Sequence, residues 1–201
     1  MKKSIKTELT ISKIIEAAIN EFGKNGYAGG TINDICKTGI NKGLLYHNFS
    51  GKDELYLACV NLSCKKLIHH IQERDGTKNP ESYLAVRMDV FALYPNEAHI
   101  FFEALLSPPA HLAEELLPAI SGFTALNEQM VSAMLDAVTL RSTVARNDAV
   151  SYFHMMQTMF NGYFSSPAFY HISLEEKMKL HEKILPQLLD FMLYGIAKGD
   201  A

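Results

Sequence analysis

Between Thr31 and Phe49 the chain reads Thr-Ile-Asn-Asp-Ile-Cys-Lys-Thr-Gly-Ile-Asn-Lys-Gly-Leu-Leu-Tyr-His-Asn-Phe, and few stretches restrict a backbone more tightly. Thr31 followed three positions on by Asp34 is a capping-box start: the hydroxyl accepts from a first-turn N–H while the carboxylate reaches back to the cap. The helix that opens there carries Ile32, Ile35 and Cys36 on one face. It stops at Gly39, a residue that tolerates the positive φ of a sharp turn. Asn41 is the natural N-cap of a second helix and places Lys42, Gly43 and Leu44 in its first turn. Two short helices across a tight turn make a helix-turn-helix, whose second helix offers its first turn to base edges in the major groove.

The outward residues of that second helix suit a duplex better than solvent. Ile40, Leu45 and Phe49 face inward, which leaves Lys42, Leu44, Tyr46 and His47 outside. A lysine donates to guanine or phosphate and an aliphatic side chain touches a thymine methyl. Lys42, Leu44 and Tyr46 are therefore expected to read the groove, Thr31, His47 and Lys52 to hold phosphates, and Gly43 to let the backbone approach. Upstream, Ile11, Ile14, Ile15, Ala18 and Phe22 recur at helical spacing until Asn25-Gly26, predicting a first helix of about four turns. Downstream, Ser50-Gly51-Lys52-Asp53 is a second capping-box start. It leads a longer helix through Leu55, Leu57, Leu62 and Leu67, with Lys52 at an N-terminus suited to phosphate.

Residues 10 to 56 resemble the DNA-binding domain of the TetR family of transcriptional regulators. The likeness rests on Thr10, Ile14-Ile15-Glu16-Ala17-Ala18, Phe22, Gly26-Tyr27, Thr31, Asp34-Ile35, Gly39-Ile40, Lys42-Gly43, Leu45-Tyr46, Phe49, Lys52 and Leu55, spaced without gaps. Two places depart from the pattern: Ala28-Gly29-Gly30 replaces a bulkier linker, and Leu44 stands where many members carry a polar residue. The resemblance implies an all-α homodimer whose larger C-terminal domain binds a small molecule that releases or modulates DNA binding. The expected division is a helix-turn-helix domain over residues 1–51 and a regulatory and dimerisation domain over residues 52–201, with residues 52–75 as the connecting helix.

Charge follows the same division. The whole chain has a formal charge of −3, too little to argue for nucleic acid. Residues 1–75, however, hold eleven Lys/Arg against eight Asp/Glu, a balance of +3, and residues 76–201 hold eight against fourteen, a balance of −6. Lys2, Lys3 and Lys6 are expected to form an arm along phosphates. Cys36, Cys59 and Cys64 form no C-x-x-C pair and no disulfide framework. The polar first residues and the absence of a long apolar run give the expectation of a cytoplasmic protein.

Beyond Pro80 the pattern predicts helices near 81–93, 96–106, 109–119, 122–139, 147–164 and 173–197. Breaks fall at Tyr94-Pro95, Ser107-Pro108-Pro109, Ser121-Gly122 and Ser166-Pro167. Ser173-Leu174-Glu175-Glu176 is a third capping box. After it Leu174, Met178, His181, Leu185, Leu188 and Met192 form a stripe that wants a helical partner, and Pro186 should kink the helix. The last two helices are the candidate dimer interface, with Met178, Leu185, Leu188 and Met192 in contact; ordinary intramolecular core is the other reading of the stripe. Methionine and aromatic residues crowd this half, and such cores can hold an apolar pocket with a few polar anchors. The expected lining is Phe101, Phe102, Met156, Phe160 and Tyr163, with His99, His154, Gln157 and Asn161 as polar contacts.

The pairs His99/Glu103 and His111/Glu115 invite a metal reading, but no HExxH or Glu-x-x-His motif occurs. A phosphate loop and a G-x-S-x-G elbow are also missing. The expectation is a DNA-binding regulator, with no enzymatic activity, cofactor or metal, most simply a repressor released from a palindromic operator by a small apolar or aromatic effector. The alternative is a helical sensor of small molecules or protein partners that does not bind specific DNA.

Overall fold

The computed structural model describes residues 2–74 and 80–195, and the side chains of residues 7–74 and 82–195. The described residues form helices α1 (Lys2–Gly29), α2 (Ile32–Lys37), α3 (Lys42–Asn48), α4 (Lys52–Glu73), α5 (Pro80–Leu93), α6 (Pro95–Leu106), α7 (Ala113–Asp136), α8 (Arg146–Phe164) and α9 (Leu174–Tyr194), with 3-10 turns at Ala110–Leu112 and Pro167–Phe169. No strand occurs among them, as an all-α reading requires. One apolar core runs from Ile14, Phe22, Ile35, Leu45 and Phe49 in the N-terminal helices through Val60 and Leu67 to Phe102, Leu126 and Leu189. The N-terminal unit therefore sits on the rest of the molecule rather than beside it.

α1 is longer than its sequence pattern predicts, beginning at Lys2 instead of near Thr10. The lysine arm is thus part of a helix, and its side chains lie outside the described residues. The helical line breaks at Gly26, where φ is 65° and ψ 176°. A Cβ at Gly26 would stand 2.7 Å from Glu103 Oε1, so the position needs glycine both for its backbone and for its space. Gly30, in the departure from the family linker, is buried, and a Cβ there would stand 2.6 Å from Phe22 Cδ1.

α4 is the central strut, packed against α1, α5, α6 and α7. Its buried face is Leu55, Tyr56, Cys59, Val60, Ser63, Cys64, Leu67 and Ile71. Leu62, expected on that face, is 43% exposed: the buried stripe is centred on the line of Tyr56, Ser63 and Leu67, and Leu62 falls past its Leu55 edge. Ser50 does not cap α4 either. Gly51 holds the cap position without a side-chain bond, while the Ser50 N–H donates to Glu54 Oε2 at 2.6 Å. The reaching-back carboxylate is thus Glu54, one residue beyond Asp53.

The expected helices at 109–119 and 122–139 are one helix. α7 runs through Pro118 and past Gly122. Gly122 is a contact point rather than a breaker: a Cβ there would lie 2.8 Å from Ile68 Cδ1 of α4. The other expected breaks hold, with Pro95 in the first turn of α6 and Ser107-Pro108-Pro109 after its end. α9 opens with the reciprocal Ser173–Glu176 capping box and stays helical through Pro186 to Tyr194.

Candidate nucleic-acid interface and ligand cavity

The N-terminal site is built from two capped helices. Thr31 Oγ1 accepts from the Asp34 N–H at 3.1 Å and donates to Asp34 Oδ2 at 2.6 Å. The carboxylate thus meets the hydroxyl instead of the Thr31 N–H, which leans toward Glu21 Oε1 at 3.4 Å. Lys37 at 2.6 Å and the Thr31 hydroxyl both hold the Asp34 carboxyl below the usual carboxylate range. After Thr38, Gly39 turns the chain at φ 101°, and Asn41 Oδ1 caps α3 by accepting from the Leu44 N–H at 3.0 Å.

The face of α3 follows from one fully buried anchor. Leu45 is 0% exposed and Phe49 is buried, whereas Leu44 is 42% and Tyr46 49% exposed; Lys42, Gly43 and His47 are exposed too. Thr31 lies exposed at the start of α2 beside this face, and Lys42 Nζ donates to Asn33 Oδ1 of α2 at 2.9 Å. A Cβ on Gly43 would press on the Asn41 cap oxygen at 3.2 Å. Lys52, half-buried at the start of α4, lies 4.4 Å above the Tyr27 ring.

Tyr27 also ties this unit to the body. Its N–H is shared by both Glu103 carboxylate oxygens of α6 at 2.9 Å each, and Tyr56 donates to Glu103 Oε2 at 2.8 Å. Its hydroxyl donates to Asp53 and lies 3.2 Å from His111 Nε2. Burial and Asp53 push the Tyr27 hydroxyl up to about 12. Glu103 and His111, which the sequence offers as metal-ligand candidates, are thus engaged at this joint. Among the described residues no three His, Cys, Asp or Glu converge as a metal site. Nearby, Gly23 lets α6 approach so closely that a Cβ would lie 2.4 Å from Asn96 Cβ, and Asn96 donates to Asn20 Oδ1 at 2.9 Å.

The C-terminal half encloses a cavity of about 180 Å³ among α5, α6, α7, α8 and α9. Of the expected lining, Phe101, His154, Gln157, Phe160 and Asn161 are in its wall. Phe102 is buried in the core, Tyr163 is 55% exposed, and neither Met156 nor His99 reaches the cavity. His99 keeps a buried Nδ1 without a hydrogen-bond partner in the structure, and burial lowers its basicity. Leu185, Leu188 and Met192 line the cavity and Met178 is half-buried. α8 instead exposes Tyr152, Met155, Met159 and Tyr163.

Sequence reasoning missed the polar wall. Arg87, 3% exposed, places Nε and Nη2 each 2.9 Å from the two carboxylate oxygens of Glu182, and donates from Nη1 to Tyr83 at 3.0 Å. Tyr83 donates to Asn127 Oδ1. Beyond Glu182, His181 Nδ1 lies 2.9 Å from Glu182 Oε1 and its Nε2 3.1 Å from the Asn161 amide. Burial alone would raise the Glu182 carboxyl, but Arg87 and the hydrogen bond to His181 bring it down to about 2. Burial lowers the pKa of His181 and keeps the ring neutral. The one available signal was a charged residue, Arg87, inside the apolar pattern of α5; its partner lies 95 residues away. Cys59 and Cys64 are buried, and burial pushes the Cys64 thiol up to about 12, far from a thiolate at neutral pH.

Residues 14–59 match the family model described as bacterial regulatory proteins, tetR family. The HTH-type transcriptional repressor AcnR of Corynebacterium diphtheriae is 30% identical over 96 residues, 42% of this chain and 50% of AcnR. The IcaR negative transcriptional regulator of the icaADBC biofilm operon of Staphylococcus epidermidis is 43% identical over 49 residues, 24% of this chain and 26% of IcaR. The chain thus spans about half the length, or less, of these curated relatives. In fold it is similar to FadR of Bacillus subtilis, a transcriptional regulator solved with stearoyl-CoA, at a TM-score of 0.61 and 14% identity over 92% of this chain and 99% of that one. FadR of Bacillus halodurans gives the same TM-score, identity and coverage. Residues 14–59 thus match the helix-turn-helix unit of bacterial regulatory proteins of the tetR family, and the larger helical domain that follows gives the whole chain a fold similar to that of FadR.

Proposed function

We propose that this chain is a transcriptional repressor that binds a near-palindromic operator as a homodimer and is released by a small molecule in the C-terminal cavity. The observation that carries the reading is the face of α3: a fully buried Leu45 fixes the helix, and Lys42, Leu44, Tyr46 and His47 stand exposed beside it. Lys42, Leu44 and Tyr46 read the major groove from the first turns, while Thr31, His47 and Lys52 hold phosphates. Asn41 and Gly43 set how closely the helix start approaches. Residues 1–51 act as the reading unit and residues 52–201 as the regulatory and dimerisation unit.

Dimerisation uses the outer faces of α8 and α9. Tyr152, Met155, Met159 and Tyr163 recur at helical spacing and are all exposed, and Phe191 and Tyr194 extend the apolar surface on α9. Leu188 and Met192 border it from the cavity side, with Met178 and Leu185 along the same helix. Two copies related by a two-fold axis place their recognition helices roughly one DNA turn apart, about 34–36 Å, or somewhat more.

Control passes through α6, where Phe101 faces the cavity and Glu103, two residues on, holds Tyr27. Shifting operator occupancy from about 99:1 to 1:99 needs an effector preference of about 5.5 kcal/mol for the non-binding conformation. Operator DNA must weaken effector binding by the same factor. The FadR neighbour is described with stearoyl-CoA, but a likeness at 14% identity is one of fold, so the effector is read from this cavity.

The test is fluorescence anisotropy with DNA from upstream of the chain's own gene, over a salt series. Specific, salt-dependent binding of a dimer is expected. Lys52→Ala should weaken all sequences alike and reduce the salt slope by about one, and Lys42→Ala should also change base preference. Met159→Glu should give monomers. Equal affinity for cognate and scrambled DNA would leave a helical sensor without operator recognition.

A further inference from the structure

We infer that the C-terminal cavity takes an uncharged effector, about two fused rings in size, carrying a neutral hydrogen-bonding group, and that it rejects free carboxylates and amines. This rests on the reading that the effector binds in this cavity. The wall is mostly aromatic and aliphatic, with Phe101 and Phe123 stacked at 4.1 Å between ring centres. The formal charges in and against it are Arg87 and Glu182, already joined at 2.9 Å through two parallel contacts. An entering carboxylate would lose its hydration to meet a guanidinium in use and a carboxylate beside it. An entering ammonium would meet a carboxylate that already has its cation. Neither recovers the cost of leaving water. His154, the remaining titratable side chain of the wall besides Tyr83 and His181, is 39% exposed and lies 3.7 Å from Glu128.

The neutral polar groups point to the ligand's chemistry. Glu182 can only accept, so the neutral His181 ring donates from Nδ1 and must accept at Nε2. Asn161, placed with Oδ1 3.1 Å from Nε2, satisfies that ring after a half-turn that brings its NH2 to the imidazole. Its oxygen then becomes an acceptor for the ligand. Asn127 is the complement: its oxygen accepts from Tyr83, which leaves its NH2 to donate. A primary or secondary amide or a hydroxyl on a flat apolar body, able to donate to Asn161 and to accept from Asn127, matches this pair. The free volume of about 180 Å³ suits such a body better than a long acyl chain.

The probes are 2-naphthamide, 2-naphthoate and protonated 2-naphthylmethylamine, matched in shape, titrated by calorimetry into the full chain at neutral pH. The amide is expected to bind at least about tenfold more tightly than either ion. Glu182→Gln removes the anion beside Arg87 and should reverse the order, so that naphthoate outbinds the amide by about tenfold. Asn127→Leu with Asn161→Leu keeps the ion pair and should weaken the amide about tenfold. That variant serves if Glu182→Gln does not fold. Naphthoate or the amine binding wild type as tightly as the amide would overturn the inference, and so would no binding of the amide at millimolar concentration. Operator affinity measured in the same samples separates the two readings. Amide binding that leaves operator affinity unchanged keeps the neutral cavity and removes its role as the effector site.

Discussion

The helix-turn-helix unit and the C-terminal cavity solve the problem of polar groups in opposite ways. In the helix-turn-helix unit, polar side chains cap helix ends within three residues of themselves, as Thr31 and Asn41 do, or lie on the exposed surface, as Lys42 and His47 do. In the cavity, Asn127, Tyr83, Arg87, Glu182, His181 and Asn161 join one buried chain drawn from α5, α7, α8 and α9. Local caps are small, separable contributions. A buried network is not separable, because removing one member leaves another charged or polar group without a partner where water cannot replace it. Tolerance to substitution should therefore differ sharply between the two regions.

The largest effect should come from Glu182→Ala, which strands the Arg87 cation and should cost about 3–5 kcal/mol in urea unfolding. The double variant Arg87→Met, Glu182→Leu should recover much of that loss. If Glu182→Ala costs no more than removal of a helix cap, the contrast fails. Next comes the joint between the regions. Gly23→Ala drives a Cβ to 2.4 Å from Asn96 Cβ and 2.7 Å from its Cα, and should cost about 1–3 kcal/mol. Gly122→Ala should be nearly neutral, because it meets only the mobile end of Ile68. Thermal unfolding of the pair checks this. Smaller again, Asn41→Ala should remove about 1 kcal/mol through loss of the α3 cap, measured by the same melts.

The smallest is a slope in pH. Burial lowers the pKa of His181 and of His99 in the folded chain, so the unfolded chain binds these protons more readily. Their contribution is complete above the ordinary value of 6.5 and is lost progressively as pH falls below it. Urea midpoints should therefore decline between neutral pH and about pH 5, ahead of any loss from Glu182, whose carboxylate stays charged down to about 2. His181→Gln should flatten that decline, leaving the share of His99. An unchanged slope would mean that His181 does not enter the buried network as a neutral ring.

How much could be read in advance follows the same division. The caps at Thr31, Asn41 and Ser173, the turn at Gly39, the inward Leu45 and the outward Leu44 and Tyr46 were all legible, because each depends on residues within one or two helical turns. Ser50 misled for a local reason: Glu54 reaches the Ser50 N–H as well as Asp53 would, and Asp53 is taken by Tyr27. Gly122 misled for a distant one, since a glycine that ends a helix and a glycine that admits Ile68 look alike in one dimension. In the cavity, five of nine expected wall residues are present, and the misses follow from helix rotation. α8 turns Gln157, Phe160 and Asn161 inward and Met155, Met159 and Tyr163 outward, a choice that its neighbours make.

By itself, then, the sequence determined most of the helices, many of their ends and the exposed face of α3, because hydrogen bonds and sterics between near neighbours decide those features. Only the tertiary structure decided that Tyr27 would meet Glu103 across 76 residues and Arg87 would meet Glu182 across 95. A buried charge shows in the sequence as a misplaced polar residue. Its partner becomes known only when packing brings side chains of two distant helices within 3 Å and excludes the water that would otherwise have served both.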